Sequence, residues 1–291
     1  MYQGSFVALL TPFQDGAVDE KAYQSFVDWQ VKEGTNGLVP CGTTGESPTL
    51  THAEHHRVTE LCIEVADGRV PVMAGAGSNS TAEAVELAVH AEKAGADSVL
   101  VVTPYYNKPT QEGIFQHFKA VNDAIGIPII VYNIPGRSVI DISMDTFKRL
   151  AELPNIAGMK DATGDVARPV SYVKELPDDF CLLSGEDATA IPHLAAGGHG
   201  CISVTGNIAP KLVAEQHAAW NAGDVARAME IQQMLISVHS AMFCESSPGP
   251  VKHAANLMGL CSAEVRLPLV EIADSSKIQV EAAIRGLGLI D

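Results

Sequence analysis

A lysine ends the apolar run "IAGM", at a point where comparable runs of the chain stay apolar. Burial disfavours the ammonium form, so Lys160 is costly at the end of a buried strand unless an acid pairs with it. A desolvated amine can instead be neutral near pH 7, and it is then a nucleophile toward a ketone or aldehyde. The residues alone leave both interpretations open: a catalytic nucleophile, or a structural ion pair with Asp161 or Glu46.

Three further polar features follow apolar runs. Tyr132 could relay protons through its phenol, or it could be an ordinary strand residue with its hydroxyl at the rim. The stretch "CGTTGE" offers the hydroxyls of Thr43 and Thr44 and successive backbone N–H groups, which suit a carboxylate unless the stretch is only a glycine-bounded turn. Arg137, after a Pro-Gly turn, could bind a carboxylate bidentately or be a solvated loop arginine.

Metal and disulfide chemistry are not expected. The stretch "HAEHH" places His52, His55 and His56 at helical i, i+3, i+4 spacing, but histidines on a helix surface are ordinary and we predict no metal site. The six cysteines are scattered without a CxxC pair. That distribution favours reduced thiols over a disulfide or zinc framework.

Composition narrows the possible partners. The 291 residues carry 19 basic and 35 acidic side chains, a formal charge of −16 without a basic patch, so nucleic acid and anionic membrane are poor partners. No apolar stretch approaches the roughly 18 residues of a membrane span, and no positive leader precedes the first apolar segment. We therefore expect a cytoplasmic protein.

The elements that must position these residues alternate regularly. Apolar runs rich in Val and Ile occur at residues 5–10, 37–41, 70–74, 98–102, 128–132, 155–160, 180–185 and 200–204. Amphipathic helical patterns lie between them; Thr51-x-x-Glu54 and Ser80-x-x-Glu83 predict capping boxes, and Ser143 and Asp165 predict N-caps. Short apolar strands that alternate with helices predict parallel strands covered by helices.

Eight such repeats predict an α/β fold, a (β/α)8 TIM barrel with a C-terminal helical extension. The open doubly wound alternative lacks its fingerprint, because "AGAGSNST" has two glycines but no third and no acidic partner. We expect residues 1–223 to form the barrel and residues 224–291 a helical bundle with helices near 224–242, 250–260 and 275–287. Since barrel chemistry lies at the C-terminal ends of strands, the polar features described above should converge there.

Taken together, the stretches "GTTGES", "TPYYNKPTQEG", "YNIPGR", "GMKDATGD", "LLSGEDA" and "GGHGCISVTGN" resemble, in order and over essentially the whole chain, the 4-hydroxy-tetrahydrodipicolinate synthases, also called dihydrodipicolinate synthases. This resemblance places the chain among the pyruvate-dependent class I aldolases. It implies condensation of pyruvate with L-aspartate 4-semialdehyde, the first committed step of the diaminopimelate route to L-lysine. It also implies that the pyruvate imine on lysine replaces any metal or organic cofactor.

The resemblance assigns roles residue by residue. Lys160 would form the imine, and Tyr132 would shuttle protons with Thr43 and Tyr106, the last from a neighbouring subunit. Thr44 would bind the pyruvate carboxylate with Thr43, Arg137 would bind the carboxylate of the semialdehyde, and the backbone around Gly185 and Ile202 would line the pocket. The site therefore implies a dimer at least, and the resemblance implies a homotetramer built as a dimer of dimers.

A second site follows from the same resemblance. Relatives inhibited by L-lysine bind it at a dimer interface with residues that correspond here to Ser47, His52, His55, Asn79, Glu83 and Tyr105. The sequence departs from the family at Pro48, which stiffens this loop, and at Asp161, where glutamate is usual. Two alternatives remain: another pyruvate aldolase that cleaves N-acetylneuraminate or a sugar-derived keto acid, and a catalytically silent small-molecule sensor. Arg137 favours the synthase over the first, and intact Lys160, Tyr132 and Thr43 argue against the second.

Overall fold

The protein is described here by a computed structural model that covers residues 2–291. Its strands are β1 (Gly4–Ala8), β2 (Phe13–Gln14), β3 (Ala17–Val18), β4 (Gly37–Val39), β5 (Met73–Gly75), β6 (Ser98–Val102), β7 (Ile129–Asn133), β8 (Ile156–Asp161), β9 (Cys181–Ser184) and β10 (Gly200–Ser203). All eight predicted apolar runs are strands, and β2 with β3 adds a short antiparallel hairpin.

Helices follow the strands of the barrel repeats. They are α1 (Glu20–Lys32), α2 (His52–Ala66), α3 (Thr81–Ala94), α4 (Gln111–Asn122), α5 (Pro135–Ser138), α6 (Met144–Ala151), α7 (Arg168–Glu175), α8 (Ala190–Ala195), α9 (Pro210–Asn221), α10 (Val225–Ala241), α11 (Gly249–Leu257) and α12 (Asp274–Gly286). The last three lie within three residues of their predicted bounds. Among residues 2–291, no helix combines the length and apolar character needed to cross a membrane.

Local capping signals give mixed outcomes. Thr51 and Glu54 form the predicted capping box of α2, and the Ser143 hydroxyl caps α6 as predicted. The predicted box of Ser80 with Glu83 is wrong: Ser80 is the N-cap residue of α3 but makes no side-chain cap, since Glu83 accepts a hydrogen bond from the hydroxyl of Ser78.

The N-cap predicted at Asp165 is also misplaced. Helix α7 begins at Arg168, with Ala167 as its N-cap residue. The carboxylate of Asp165 accepts the N–H of Ala167 at 2.9 Å within the preceding turn. The short polar side chain therefore orders the turn before the helix rather than the helix terminus itself.

The chain divides into two compact units. The first contains Val72–Ile202 with the N-terminal residues up to Gln3. In it, consecutive strands from β5 to β10 lie side by side and parallel. Tyr132 of β7 is in register with Lys160 of β8, and Lys160 is in register with Leu183 of β9. Most residues of these strands are buried and apolar, as is usual for parallel strands covered by helices, and buried polar residues such as Asn133 and Asp161 lie at strand ends.

The second unit contains Gly4–Pro71 and Ser203–Asp291. Strands β1 and β4 pair in parallel, α1 packs on α2, and α10 packs on α9 and α12. An apolar cluster of α9 and α10 fills the space between these helices, formed by Ala209, Val213, Ile231 and Leu235 with Leu212, Leu287 and Leu289 against it.

Eight parallel strands, each followed by a helix, and the terminal helices α10 to α12 confirm the predicted class: an α/β protein of the (β/α)8 type with a C-terminal helical extension. The division into residues 1–223 and 224–291 stays a prediction.

Candidate active site

Lys160 is buried at the C-terminal end of β8. Its side chain is 5% exposed, and its Nζ atom lies 4.3 Å from the centre of the Tyr132 ring. The pair meets because the parallel register sets the two residues side by side on neighbouring strands, with both side chains on the same face. An ammonium over an aromatic face is a favourable contact, and the register brings the phenol of Tyr132 close to the amine of Lys160.

Gly185, directly after β9, leaves room for the stem of Lys160. A Cβ atom at this position would lie 2.9 Å from Cε of Lys160 and 2.7 Å from Cβ of Ala162. The N–H of Gly185 donates to the carbonyl of Asp161 at 2.6 Å. Glycine is therefore required here by the close approach of the Lys160 stem. The role of Gly185 in lining a substrate pocket stays a prediction.

The two acids considered as partners for Lys160 bind other cations. Asp161 forms an ion pair with Arg168, with Oδ2 at 3.2 Å from Nε. Glu46 forms an ion pair with Lys252, with Oε1 at 2.6 Å from Nζ and neither side chain exposed. The structural interpretation of Lys160, as drawn from the sequence, does not hold for either acid.

The loop after β7 presents Arg137. Pro135 begins the single-turn helix α5, and the N–H of Arg137 donates to the carbonyl of Ile134 at 3.0 Å. Arg137 is exposed, whereas Tyr132 is only 6% exposed. The structure therefore places one buried phenol and one accessible guanidinium on the same strand and its following loop.

Tyr106 lies in the loop after β6 and points into solvent. It is 89% exposed and has a left-handed φ of 72°, and Lys108 also has a positive φ. Asn107 fixes this turn, since its Nδ2 donates to the carbonyl of Asn79 at 2.9 Å. A non-glycine residue held in the left-handed region stores strain, which is typical of functional loops.

The second unit contains the Thr43 and Thr44 loop. Both Cys41 and Glu46 adopt left-handed φ values, 53° and 55°, and the N–H of Glu46 donates to the carbonyl of Thr43 at 3.1 Å. Thr44 is buried, whereas Thr43 is half-buried. The N–H groups of Gly45 and Ser47 both donate to the carbonyl of Gly42, so the backbone of this turn is held by its own hydrogen bonds. The role of Thr43 and Thr44 in binding a carboxylate stays a prediction.

Sequence reasoning missed Lys252. None of the predictions from the sequence singled it out, yet Lys252 is fully buried in α11. Its Nζ donates to the carbonyl of Glu264 at 2.7 Å and lies 4.0 Å from the centre of the Phe13 ring. The apolar neighbours in "PVKHAA" were the available signal, since a lysine among them faces inward on a helix.

The residues assigned to a lysine effector fall in both units. In the first, the carboxylate of Glu83 accepts the hydroxyl of Ser78, and Tyr105 is half-buried. In the second, His52 is exposed at the start of α2, whereas His55 is buried. Within residues 2–291, no group of three or more His, Cys, Asp or Glu side chains is arranged to hold a metal ion.

The remaining predicted pocket residue, Ile202, lies in β10 with its side chain fully buried. Its role in lining the pocket through the backbone stays a prediction.

A (β/α)8 fold with a buried strand-end lysine beside a tyrosine defines a protein of the class I aldolase type. The sequence model of the dihydrodipicolinate synthetase family matches residues 1–287. The 4-hydroxy-tetrahydrodipicolinate synthase of Acidiphilium cryptum is 61% identical over 291 residues, which cover 100% of both chains. The chain belongs to the dihydrodipicolinate synthetase family.

Solved structures agree with this assignment over the whole chain. A chloride-inhibited dihydrodipicolinate synthase from Acinetobacter baumannii, complexed with pyruvate, matches with a TM-score of 0.97 and 46% identity and covers 100% of each chain. The synthase of Cyanidioschyzon merolae, with lysine bound, matches with a TM-score of 0.96 and 34% identity and covers 99% of each chain.

Proposed function

We propose that the protein is a lyase that condenses pyruvate with L-aspartate 4-semialdehyde, the 4-hydroxy-tetrahydrodipicolinate synthase reaction. This is the first committed step of the diaminopimelate route to L-lysine. The observation that carries the proposal is the buried Lys160, whose Nζ lies 4.3 Å from the Tyr132 ring centre while its two candidate counter-ions bind Arg168 and Lys252. Membership of the family adds the substrates, and the relative complexed with pyruvate supports the first of them.

The proposed reaction begins with the side-chain amine of Lys160 as the nucleophile. Nζ of Lys160 adds to the ketone carbon of pyruvate, and the ketone oxygen leaves as water, which gives an imine. Loss of a methyl proton gives an enamine, whose carbon adds to the aldehyde of the semialdehyde. The amine of that substrate then displaces Lys160 as the ring closes. The imine itself draws electrons from the methyl carbon, so the reaction needs no external cofactor.

The proposed site residues divide the remaining tasks. Thr43 and Thr44 bind the pyruvate carboxylate, and the exposed Arg137 binds the carboxylate of the semialdehyde bidentately. Tyr132 moves protons to and from the reacting atoms, aided by Thr43. The close approach at Gly185 keeps the lysine stem in place.

A second subunit completes the proposed site. Tyr106 is held outward with a left-handed backbone, which is costly for an isolated chain and useful when a partner covers the ring. We therefore assign the third member of the proton relay to Tyr106 of the partner subunit. A second apolar face supports a dimer of dimers, because Val166, Val170 and Val173 around α7 are 40%, 59% and 52% exposed.

L-Lysine is the proposed effector. Its site comprises Ser47, His52, His55, Asn79, Glu83 and Tyr105. Within this set, the carboxylate of Glu83 accepts a hydrogen bond from the hydroxyl of Ser78. The lysine-bound relative supports this regulation. We also propose a cytoplasmic location, as expected from the sequence.

The test is an assay of semialdehyde consumption in the presence of pyruvate, run beside N-acetylneuraminate cleavage. The proposal expects turnover of the semialdehyde and none of the sugar acid. Cleavage of N-acetylneuraminate without semialdehyde turnover would identify a different pyruvate aldolase. Pyruvate binding without either turnover would indicate a sensor.

A further inference from the structure

Arg168, at the start of α7, joins two segments that carry proposed site residues. Its Nη1 and Nη2 atoms bind both carboxylate oxygens of Asp141, at 2.7 and 3.0 Å. Its Nε atom lies 3.2 Å from Oδ2 of Asp161 and donates to the hydroxyl of Tyr172 at 2.7 Å. The side chain is only 21% exposed, and Asp161 is almost fully buried, so this contact is weakly screened by solvent.

Asp141 closes the loop that presents Arg137. Nδ2 of Asn133, the last residue of β7, donates to Oδ1 of Asp141 at 2.7 Å. Oδ1 of Asn133 accepts the N–H of Ile142 at 3.3 Å. Hydrogen bonds of Asn133 with Asp141 and Ile142 therefore hold the two ends of the loop together, and Arg137 lies within this loop. Arg168 binds the same closure, the neck of the loop, through Asp141.

Asp161 directly follows Lys160 on β8. Its Oδ1 accepts the N–H of Thr163 at 2.8 Å, and its Oδ2 accepts the hydroxyl of Tyr172 at 3.3 Å. Its backbone carbonyl accepts the N–H of Gly185. One guanidinium therefore contacts both the residue after the proposed nucleophile and the neck of the loop with the proposed carboxylate ligand.

We propose that Arg168 is a positioning residue that sets Arg137 relative to Lys160, and hence the semialdehyde relative to the pyruvate enamine. The inference rests on the proposed function, since it takes Arg137 as the ligand of the semialdehyde carboxylate. A planar guanidinium fixes two carboxylates by direction as well as by charge, whereas a lysine ammonium cannot bind Asp141 bidentately. Bimolecular condensation depends steeply on this alignment, because a displacement of about 1 Å can cost roughly 100-fold.

The test compares Arg168→Lys and Asp141→Asn with the wild type. We expect KM for the semialdehyde to rise by roughly tenfold or more, while the rate of borohydride trapping with pyruvate alone stays within about twofold. Arg149→Lys is the matched control, since Arg149 pairs with Glu112 at 2.8 Å and lies over the Phe115 ring between α6 and α4. It should change neither quantity.

A double-mutant cycle separates positioning from general stability. In an Arg137→Ala background, Arg168→Lys should raise the semialdehyde KM no further, because the group that it positions is gone. Equal losses in pyruvate trapping and semialdehyde KM, an additive cycle, or an unchanged KM would each overturn the inference.

The wild type is measured first, so that the two proposals fail separately. Absence of semialdehyde turnover by the wild type would overturn the proposed function and this inference with it. If Arg168→Lys does not fold, Asp141→Asn takes its place: alone it should raise the semialdehyde KM, and in the Arg137→Ala background it should raise that KM no further.

Discussion

Lys160 and Lys252 are two buried lysines in similar local surroundings. Their side chains are 5% and 0% exposed, and their Nζ atoms lie 4.3 Å and 4.0 Å from the ring centres of Tyr132 and Phe13. They differ in their counter-charge: Lys252 has the carboxylate of Glu46 at 2.6 Å, whereas Asp161 beside Lys160 binds Arg168.

The comparison teaches that burial alone does not identify a reactive lysine. Burial lowers the pKa of Lys252, and the nearby charge of Glu46 opposes that effect. Glu46 also accepts the N–H of Arg266 at 3.0 Å, so this pair belongs to a network that holds the tight turn after β4. We therefore interpret Lys252 as a structural cation, and the catalytic role of Lys160 stays a proposal.

The largest expected effect is the loss of turnover when Lys160 is replaced. Lys160→Met keeps the volume of the stem but removes the nucleophile, so turnover should fall by at least about 10⁴-fold. Because Glu46 and Asp161 keep their own partners, the melting temperature should change little. Steady-state assays with thermal unfolding measure both. Turnover within about tenfold of the wild type would contradict the assignment.

Loss of the counter-charge of Lys252 should reduce the stability of the fold, in contrast to the change at Lys160, which should reduce turnover and leave stability nearly unchanged. Glu46→Gln leaves the Lys252 cation buried without its counter-charge while keeping an acceptor for the N–H of Arg266. We expect a loss of about 3–5 kcal/mol in the free energy of unfolding, measured by urea denaturation. The apolar double variant Glu46→Leu with Lys252→Met should recover much of that loss. A loss below about 1 kcal/mol would mean that the pair behaves like an exposed one.

Gly185→Ala tests the space around Lys160. The added Cβ would lie 2.9 Å from Cε of Lys160, so the amine must move. We expect slower imine formation by roughly 10- to 100-fold and a destabilisation of about 1–3 kcal/mol.

Gly286→Ala is the control for this prediction, because a Cβ there meets no atom within 4 Å. Stopped-flow measurement of pyruvate binding, or trapping rates, gives the comparison. Equal trapping rates for Gly185→Ala and the wild type would show that Lys160 tolerates displacement.

The smallest expected effect concerns Glu54, which forms an ion pair with Arg266 next to the buried pair of Lys252 with Glu46. Hydrogen bonds from Arg266 lower the pKa of Glu54 to about 2. Because this lies below the value near 4.3 of an unfolded chain, the charge of Glu54 stabilises the fold above about pH 4.3, and the gain is lost as pH falls through the folded pKa.

Glu54→Gln retains the capping geometry but not the charge. The difference in unfolding free energy between the wild type and this variant should therefore be largest near neutral pH and shrink in acid. Urea titrations at several pH values measure it. A difference that stays constant from neutral pH down through the acid range would refute the linkage.

Local sequence patterns were sufficient to predict most strands and helices of the fold. The runs that became strands are continuous and apolar, and parallel strand ends align, so the meeting of Tyr132 with Lys160 followed from the order of repeats. The capping box at Ser80 failed because Ser78, two residues away, competes for Glu83. Such competition between equivalent short-range hydrogen bonds is not visible in a motif.

Contacts between residues far apart in the sequence were the main feature that the sequence patterns did not predict. Lys252 and Glu46 are far apart in the sequence, and neither the helix pattern of α11 nor the turn after β4 indicates that they meet. The role of Gly185 likewise depends on the path of a side chain from another strand. Sequence patterns specify which face of an element is apolar, whereas pairing of buried charges depends on how faces from distant segments combine.

Reductive trapping tests the central claim most directly. The protein is treated with borohydride in the presence of pyruvate, digested, and its modified lysines are mapped by mass spectrometry. The account predicts an adduct on the peptide that contains Lys160 and none on the peptide that contains Lys252. An adduct on Lys252, or an active protein without an adduct on Lys160, would contradict it.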